Sequence, residues 1–200
     1  EVDGQDIYET VREAIREPGR FSGIYLSGGT DFSGDPPFAV EAERYIRVLQ
    51  AVGRNFSGRF SSQLMAPAYP KTLLRRIYDQ TGVTSYCPNI EVWDAAIFKE
   101  LCPGKEKWVG HAEWVRRTLD AVEIFGKGQV CTQVVGGVEL AARNGFATVD
   151  QALKSNFEAC EFFARHGVSY LSVLWHPHKA SRLGFRPLPP LDYYIRLAKG

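Results

Sequence analysis

The sequence has little cysteine and only one methionine. Its four cysteines, Cys87, Cys102, Cys131 and Cys160, are too widely spaced to form CxxC or CxxxCxxC. No self-contained iron–sulfur or zinc site is therefore legible. There is no apolar run of the roughly 20 residues that a membrane span requires, and no signal peptide opens the chain. An excess of one charge is missing as well. The 24 Lys and Arg against 23 Asp and Glu leave a formal net charge of +1. That balance gives no general attraction to nucleic acid or to an anionic membrane. The basic pairs Arg75-Arg76 and Arg116-Arg117 lie in helix-like stretches and read as solvated faces. Neither a P-loop lysine nor a GxGxxG spacing appears, nor a nucleophile elbow, a zinc-peptidase helix or a serine triad order. No low-complexity stretch or interdomain linker divides the chain, so residues 1–200 read as one domain. Reduced cysteines fit a cytoplasmic protein. Glu1 is not a natural initiator, and the chain is expected to be a processed form or a fragment.

What is present is an alternation of short apolar segments and helix-like ones. With 44% hydrophobic residues a sizeable core can form. The first helix is expected over residues 7–16, with Ile7, Val11 and Ile15 at helical spacing and Pro18-Gly19 beyond it. A short strand at 23–26 leads through a glycine loop to a helix at 38–52. A strand at 59–65 is followed by a helix starting at Pro70 and ended by Gly82. Strands at 83–90, 129–135 and 168–175 follow, separated by helices at 113–125 and 148–165. Thr148 with Gln151 forms a capping-box pattern. A proline-rich loop at 182–190 precedes a last helix at 191–199. Such alternation implies parallel strands joined by helical crossovers. Five strands do not close a standard eight-stranded barrel. The expected fold is α/β, a partial (β/α) barrel with parallel strands.

Parallel βα barrels carry their chemistry at the carboxyl ends of the strands, so the residues there are the candidates. Ser27-Gly28-Gly29-Thr30 follows the first strand and reads equally as a ligand loop or a tight turn. Glu91 follows Asn89 and Pro88. Glu139 follows Gly136 and Gly137. Both acids are expected to face the mouth of the barrel, with a structural carboxylate as the plainer alternative. His176 and His178 flank Pro177 and point the same way on an extended segment, yet no third ligand completes a metal set. His111 and His166 read as helical and surface-lying. Cys87 lies close to a strand end, which leaves a ligand role open.

Taken in order, these pieces resemble the core of the radical S-adenosylmethionine (radical SAM) superfamily, in its biotin-synthase and lipoyl-synthase-like branch. The loop Leu26-Ser27-Gly28-Gly29-Thr30 resembles that family's glycine motif, although the family usually has Glu where this chain has Thr30. The resemblance implies that this loop meets the methionine end of SAM. It implies that Glu91, in Asn89-Ile90-Glu91, helps hold SAM. The stretch from Val130 to Glu139, with Gln133 pointing inward and with Gly136 and Glu139, would flank adenine and ribose. Trp175 and His176 would lie near adenine. The likeness runs over nearly the whole chain but omits the family's first strand and its CxxxCxxC loop. It therefore implies SAM as cofactor, and a [4Fe–4S] cluster only with a missing amino-terminal segment. A small-molecule or peptide substrate and a reductant protein would be the partners.

Two other functions are carried beside it. One is a metal-dependent βα-barrel lyase using Glu91, Glu139 and His176. The other is a non-catalytic, barrel-derived scaffold whose mouth is filled by side chains.

Overall fold

The computed structural model describes residues 3–19 and 22–200. The described residues form, in chain order, α1 (Gly4–Arg16), β1 (Ile24–Ser27), α2 (Ala39–Gly53), β2 (Ser62–Met65), α3 (Lys71–Gln80), β3 (Ser85–Cys87), α4 (Ala95–Leu101), α5 (Pro103–Trp108), α6 (His111–Phe125), β4 (Val130–Gly136), α7 (Val138–Ala141), α8 (Val149–Arg165), β5 (Val168–Leu174) and α9 (Leu191–Lys199). The strands form one five-stranded sheet in the order β1-β2-β3-β4-β5. Every neighbouring pair is parallel. The class is α/β, as the strand–helix alternation implied. β1 and β5 stand at the two edges, with no ladder between them among the described residues.

Local chemistry explains the boundaries. Asp3 caps α1, Asp94 caps α4, and Thr148 with Gln151 closes a full capping box at α8. Each cap supplies acceptors to amide groups that the first helical turn leaves unpaired. The helices α4 and α5 were not evident as separate elements in the sequence, where 91–110 carries no long apolar period. β2 is shorter than the expected 59–65. β3 is much shorter than 83–90, because Pro88 has no N–H to continue the ladder.

The two faces of the sheet differ. Leu64, Tyr86, Val130, Thr132 and Val134 point to the helical layer and are buried. There they pack with Leu49, Leu74, Ile77, Phe98 and Phe163. Burying a side chain such as Leu74 contributes about 1.5–3 kcal/mol. The residues that alternate with them form the other face. Registers Tyr25↔Gln63, Gln63↔Ser85 and Gln133↔Leu171 put these five on one side, and all are half-buried or exposed. Two of the cavities lie at the carboxyl ends of the strands above this open face. His111 departs from its expected surface position. It is half-buried, with its ring against Trp93 and Phe98, and burial lowers its pKa. His166 is exposed, just after α8.

Candidate functional site

The site begins with the break at Pro88. Thr132 bridges the gap: its hydroxyl donates to Pro88 O at 2.9 Å and accepts from Ile90 N at 3.1 Å. Pairing with β4 then resumes at Glu91. Its N–H donates to Gln133 O at 2.9 Å, and its carbonyl accepts from Val135 N at 2.8 Å. To make both bonds, Glu91 adopts φ 70°, in the left-handed region. For a residue with a Cβ this conformation costs on the order of 1–3 kcal/mol and persists only where the surroundings enforce it. The result is a carboxylate held at the sheet's carboxyl edge. Lys105 of α5 reaches it: Nζ lies 2.7 Å from Glu91 Oε1 and 2.6 Å from Asn89 O. The ammonium also sits 4.5 Å from the centre of the Trp114 ring, within cation–π range. Trp114 is fixed in turn by its indole N–H, which donates to Pro88 O at 3.2 Å.

Glu91 stands between two cavities. The first, of about 210 Å³, is lined by Ser27, Gly28, Thr30, Cys87, Asn89 and Lys105 among others. Phe32 also lines it and stacks on Trp108, with ring centres 4.7 Å apart. The glycine loop beside it is anchored from behind by Glu41, a buried residue of α2. Asp31 N and the Tyr69 hydroxyl both donate to that carboxylate. Burial pushes the Glu41 pKa up, against the pull of those donors. The second cavity, of about 370 Å³, is more apolar. Val135, Val138, Leu101 and Trp175 line it, with Arg182 and Cys102. Small-ligand sites typically occupy roughly 300–1,000 Å³ and combine apolar walls with a few placed polar groups.

The other residues expected at the site are distributed unevenly. Ser27, Gly28, Thr30 and Glu91 meet at the first cavity, and Glu91 and Trp175 at the second. Gly29 lines neither. Gln133 serves through its backbone, holding Glu91 in place. Gly136 is a packing residue: a Cβ there would lie 2.6 Å from Ser172 Oγ and 2.8 Å from Leu197 Cδ2. His176 is exposed and lines neither cavity, with its ring nitrogen 3.1 Å from Pro177 O.

Glu139 is not at the mouth. It is 4% exposed and lines neither cavity. It accepts from Gly137 N at 2.9 Å, Asn156 Nδ2 at 2.7 Å and the Tyr193 hydroxyl at 2.6 Å. The acid is tied into α8 and α9 because the αL turn at Gly137, φ 102°, folds the chain back beneath them. Burial raises its pKa, and the three donors only partly offset that.

The sequence did not single out Lys105, Glu41 or Cys102. Lys105 lies in an unpatterned stretch, and Glu41 sits on a helix whose apolar face gives no sign of a buried acid. Nor did spacing reveal that two cysteines meet. Cys87 and Cys131 occupy neighbouring strands, and their side chains interact. Cys102 lies at the second cavity, and Cys160 is exposed on α8. Among the described residues no three His, Cys, Asp or Glu side chains gather to hold a metal ion. Glu91, Glu139 and His176 are thus not assembled as a metal-dependent lyase needs. No described helix is long and apolar enough to cross a membrane. No family, curated protein or solved structure matches the chain.

Proposed function

We propose that this chain is a partial (β/α) barrel that binds S-adenosylmethionine, the SAM-binding core of a radical SAM enzyme. The observation that carries the reading is the strained Glu91, fixed between a small polar cavity and a larger apolar one at the carboxyl edge of a parallel sheet. SAM has matching halves. Its amino-acid end suits the first cavity, where the backbone carbonyls of the Ser27–Thr30 loop accept from the ammonium and Lys105 pairs with the carboxylate. The ribose hydroxyls suit Glu91 as acceptor. The adenine suits the apolar walls of the second cavity beside Trp175.

The [4Fe–4S] cluster is a separate matter. The described thiols do not fit it: Cys87 and Cys131 meet, while Cys102 and Cys160 lie elsewhere. A cluster needs clustered thiolates. The contacts offered to SAM need no cluster.

Calorimetric titration of the chain with SAM tests this. Saturable binding is expected, weakened at least about tenfold, or 1.4 kcal/mol, by Glu91→Ala and by Lys105→Ala. Methionine should compete through the first cavity. Adenosine should compete through the second, and Val138→Trp should block adenosine alone. Absence of binding up to about 1 mM, a Kd equivalent to roughly 4 kcal/mol, would overturn the proposal. So would affinity indifferent to both Glu91 and Lys105.

A further inference from the structure

The pairing Tyr86↔Val130 between β3 and β4 makes Cys87 and Cys131 the next residues in register. Directly opposed residues on adjacent strands are about 4.8 Å apart, inside the roughly 4.4–6.8 Å range that a disulfide spans between Cα atoms. Alternation puts both side chains on the open face of the sheet, and their side chains meet there. Both residues are otherwise buried. Cys87 nevertheless lines the first cavity, and Ser169, exposed, is Cys131's neighbour on β5. Small oxidants thus have a route to the pair.

We infer that Cys87 and Cys131 form a redox-active dithiol at the floor of the first cavity, cycling between two thiols and a disulfide that clamps β3 to β4. The two sulfurs have different environments, as such a couple requires. Cys131 Sγ accepts from Gln63 Nε2 at 3.3 Å, which favours its thiolate, whereas the Cys87 thiol donates to Asn89 Oδ1 at 3.0 Å, which favours its protonated form. The proximity of the two sulfurs, together with burial, raises the pKa of Cys87, and the same proximity lowers that of Cys131. Cys131 is therefore the attacking sulfur and Cys87 the resolving one.

A peroxide is the oxidant. The Cys131 thiolate attacks one peroxide oxygen, the O–O bond breaks, and hydroxide leaves with the electron pair, giving a sulfenic acid. The Cys87 sulfur then attacks the sulfenic sulfur and displaces hydroxide. The protons of the two thiols neutralise both hydroxides. Two thiols and hydrogen peroxide thus become one disulfide and two waters, the sulfurs losing the two electrons that the peroxide gains. A dithiol reductant reverses the reaction by exchange.

The test uses the full chain carrying Cys160→Ser, which removes the exposed thiol on α8 without touching the core. One equivalent of hydrogen peroxide should remove two hydrogens per chain by intact mass. Peptide mapping without reductant should yield a Cys87–Cys131 linked fragment that dithiothreitol releases. In the reduced protein, iodoacetamide at neutral pH should label Cys131 at least about tenfold faster than Cys102, whose pKa burial raises to about 11. Gln63→Leu should slow that labelling at least about threefold, since it removes the amide that donates to the Cys131 sulfur. Linkage of Cys102 to either partner would overturn the inference. So would Cys131 carried to sulfinic acid with Cys87 still free, or equal labelling of Cys102 and Cys131. Mapping of Cys160→Ser needs no core substitution, so its answer does not depend on whether the Gln63 variant folds.

Discussion

Glu91 and Glu139 are two acids that each follow a strand at the carboxyl edge of the sheet, yet their surroundings are opposite. Glu91 sits at the break that Pro88 makes in β3, on a strained backbone, facing two cavities and one lysine. Glu139 follows β4 through a glycine turn that has no Cβ to strain. There it is sealed by a tyrosine, an asparagine and a backbone amide. Position in the sequence does not separate the two. The turn chemistry does, since a proline break leaves the acid at the mouth while a Gly137 turn carries it under α8 and α9. Strain at one site and complete hydrogen bonding at the other are the physical signs of a binding residue and a structural residue, respectively.

Substitution should separate them in stability first. Glu139→Ala leaves the Tyr193 hydroxyl and the Gly137 amide without an acceptor in a dry interior, while Asn156 keeps its bond to Ala152 O. A loss of about 3 kcal/mol is expected, because unpaired buried donors cost roughly 1–3 kcal/mol each and partial relaxation recovers some of it. Urea unfolding followed by circular dichroism reads this directly. Glu139→Gln should recover more than half of the loss. Retention of full stability by Glu139→Ala would mean that water enters the site and that the two acids are more alike than they look.

The glycines that shape the two ends give a smaller effect in the same direction. Gly137→Ala meets both a φ of 102° and Pro189 Cγ at 2.8 Å, and should cost about 2 kcal/mol. Gly29→Ala has no heavy atom within 4 Å of the added Cβ and should stay within about 0.5 kcal/mol. Equal melting-temperature shifts for the two variants would remove the case that Gly137 is the turn that buries Glu139.

For Glu91 the expected change has the opposite sign. Glycine adopts φ 70° without cost, so Glu91→Gly should stabilise the fold by about 1 kcal/mol. The lost ion pair with Lys105 subtracts little, because partly exposed pairs contribute about 0–1 kcal/mol. The same variant should lose SAM affinity. A gain in stability coupled to a loss of binding is what a strained binding residue predicts. A loss of both would make Glu91 a second structural acid.

The sequence carried the succession of strands and most helices because their signals are local: apolar periods, the Thr148–Gln151 box, glycine stops. All five strands and the last helix were legible for that reason. The partition of the site was not. Whether an acid faces a cavity or an interior depends on which helices return over it, and Tyr193 and Asn156 reach Glu139 from 54 and 17 residues away in the chain. The meeting of Cys87 and Cys131 depends on strand register, which spacing alone does not give. Lys105 lies in a connection with no periodic pattern, so nothing marked it as the partner of Glu91.

The smallest expected effect is in pH dependence, and it distinguishes acids by the sign of their shifts. Glu113 on α6 lies against Arg116 and Arg117, and the hydrogen bonds from Arg116 hold its pKa down at about 2. A carboxylate whose folded pKa is depressed stabilises the fold above its unfolded pKa of about 4.3 and loses that contribution as pH falls toward the folded value. Glu139 has the reverse sign. Burial raises its folded pKa, so its contribution is complete below the unfolded pKa and declines as pH rises through the folded one. Urea unfolding measured from pH 2 to pH 8 should therefore show two separable limbs. Glu113→Gln should flatten the acid limb, between about pH 4.3 and pH 2, and only slightly, because the group is a third exposed and solvent screens its ion pairs. Glu139→Gln should flatten the limb above about pH 4.3 and leave the acid limb intact. A Glu139→Gln variant that changed the acid limb instead would place the Glu139 pKa below its ordinary value. The three donors would then outweigh burial in setting its ionisation, and the contrast between the two strand ends would fail.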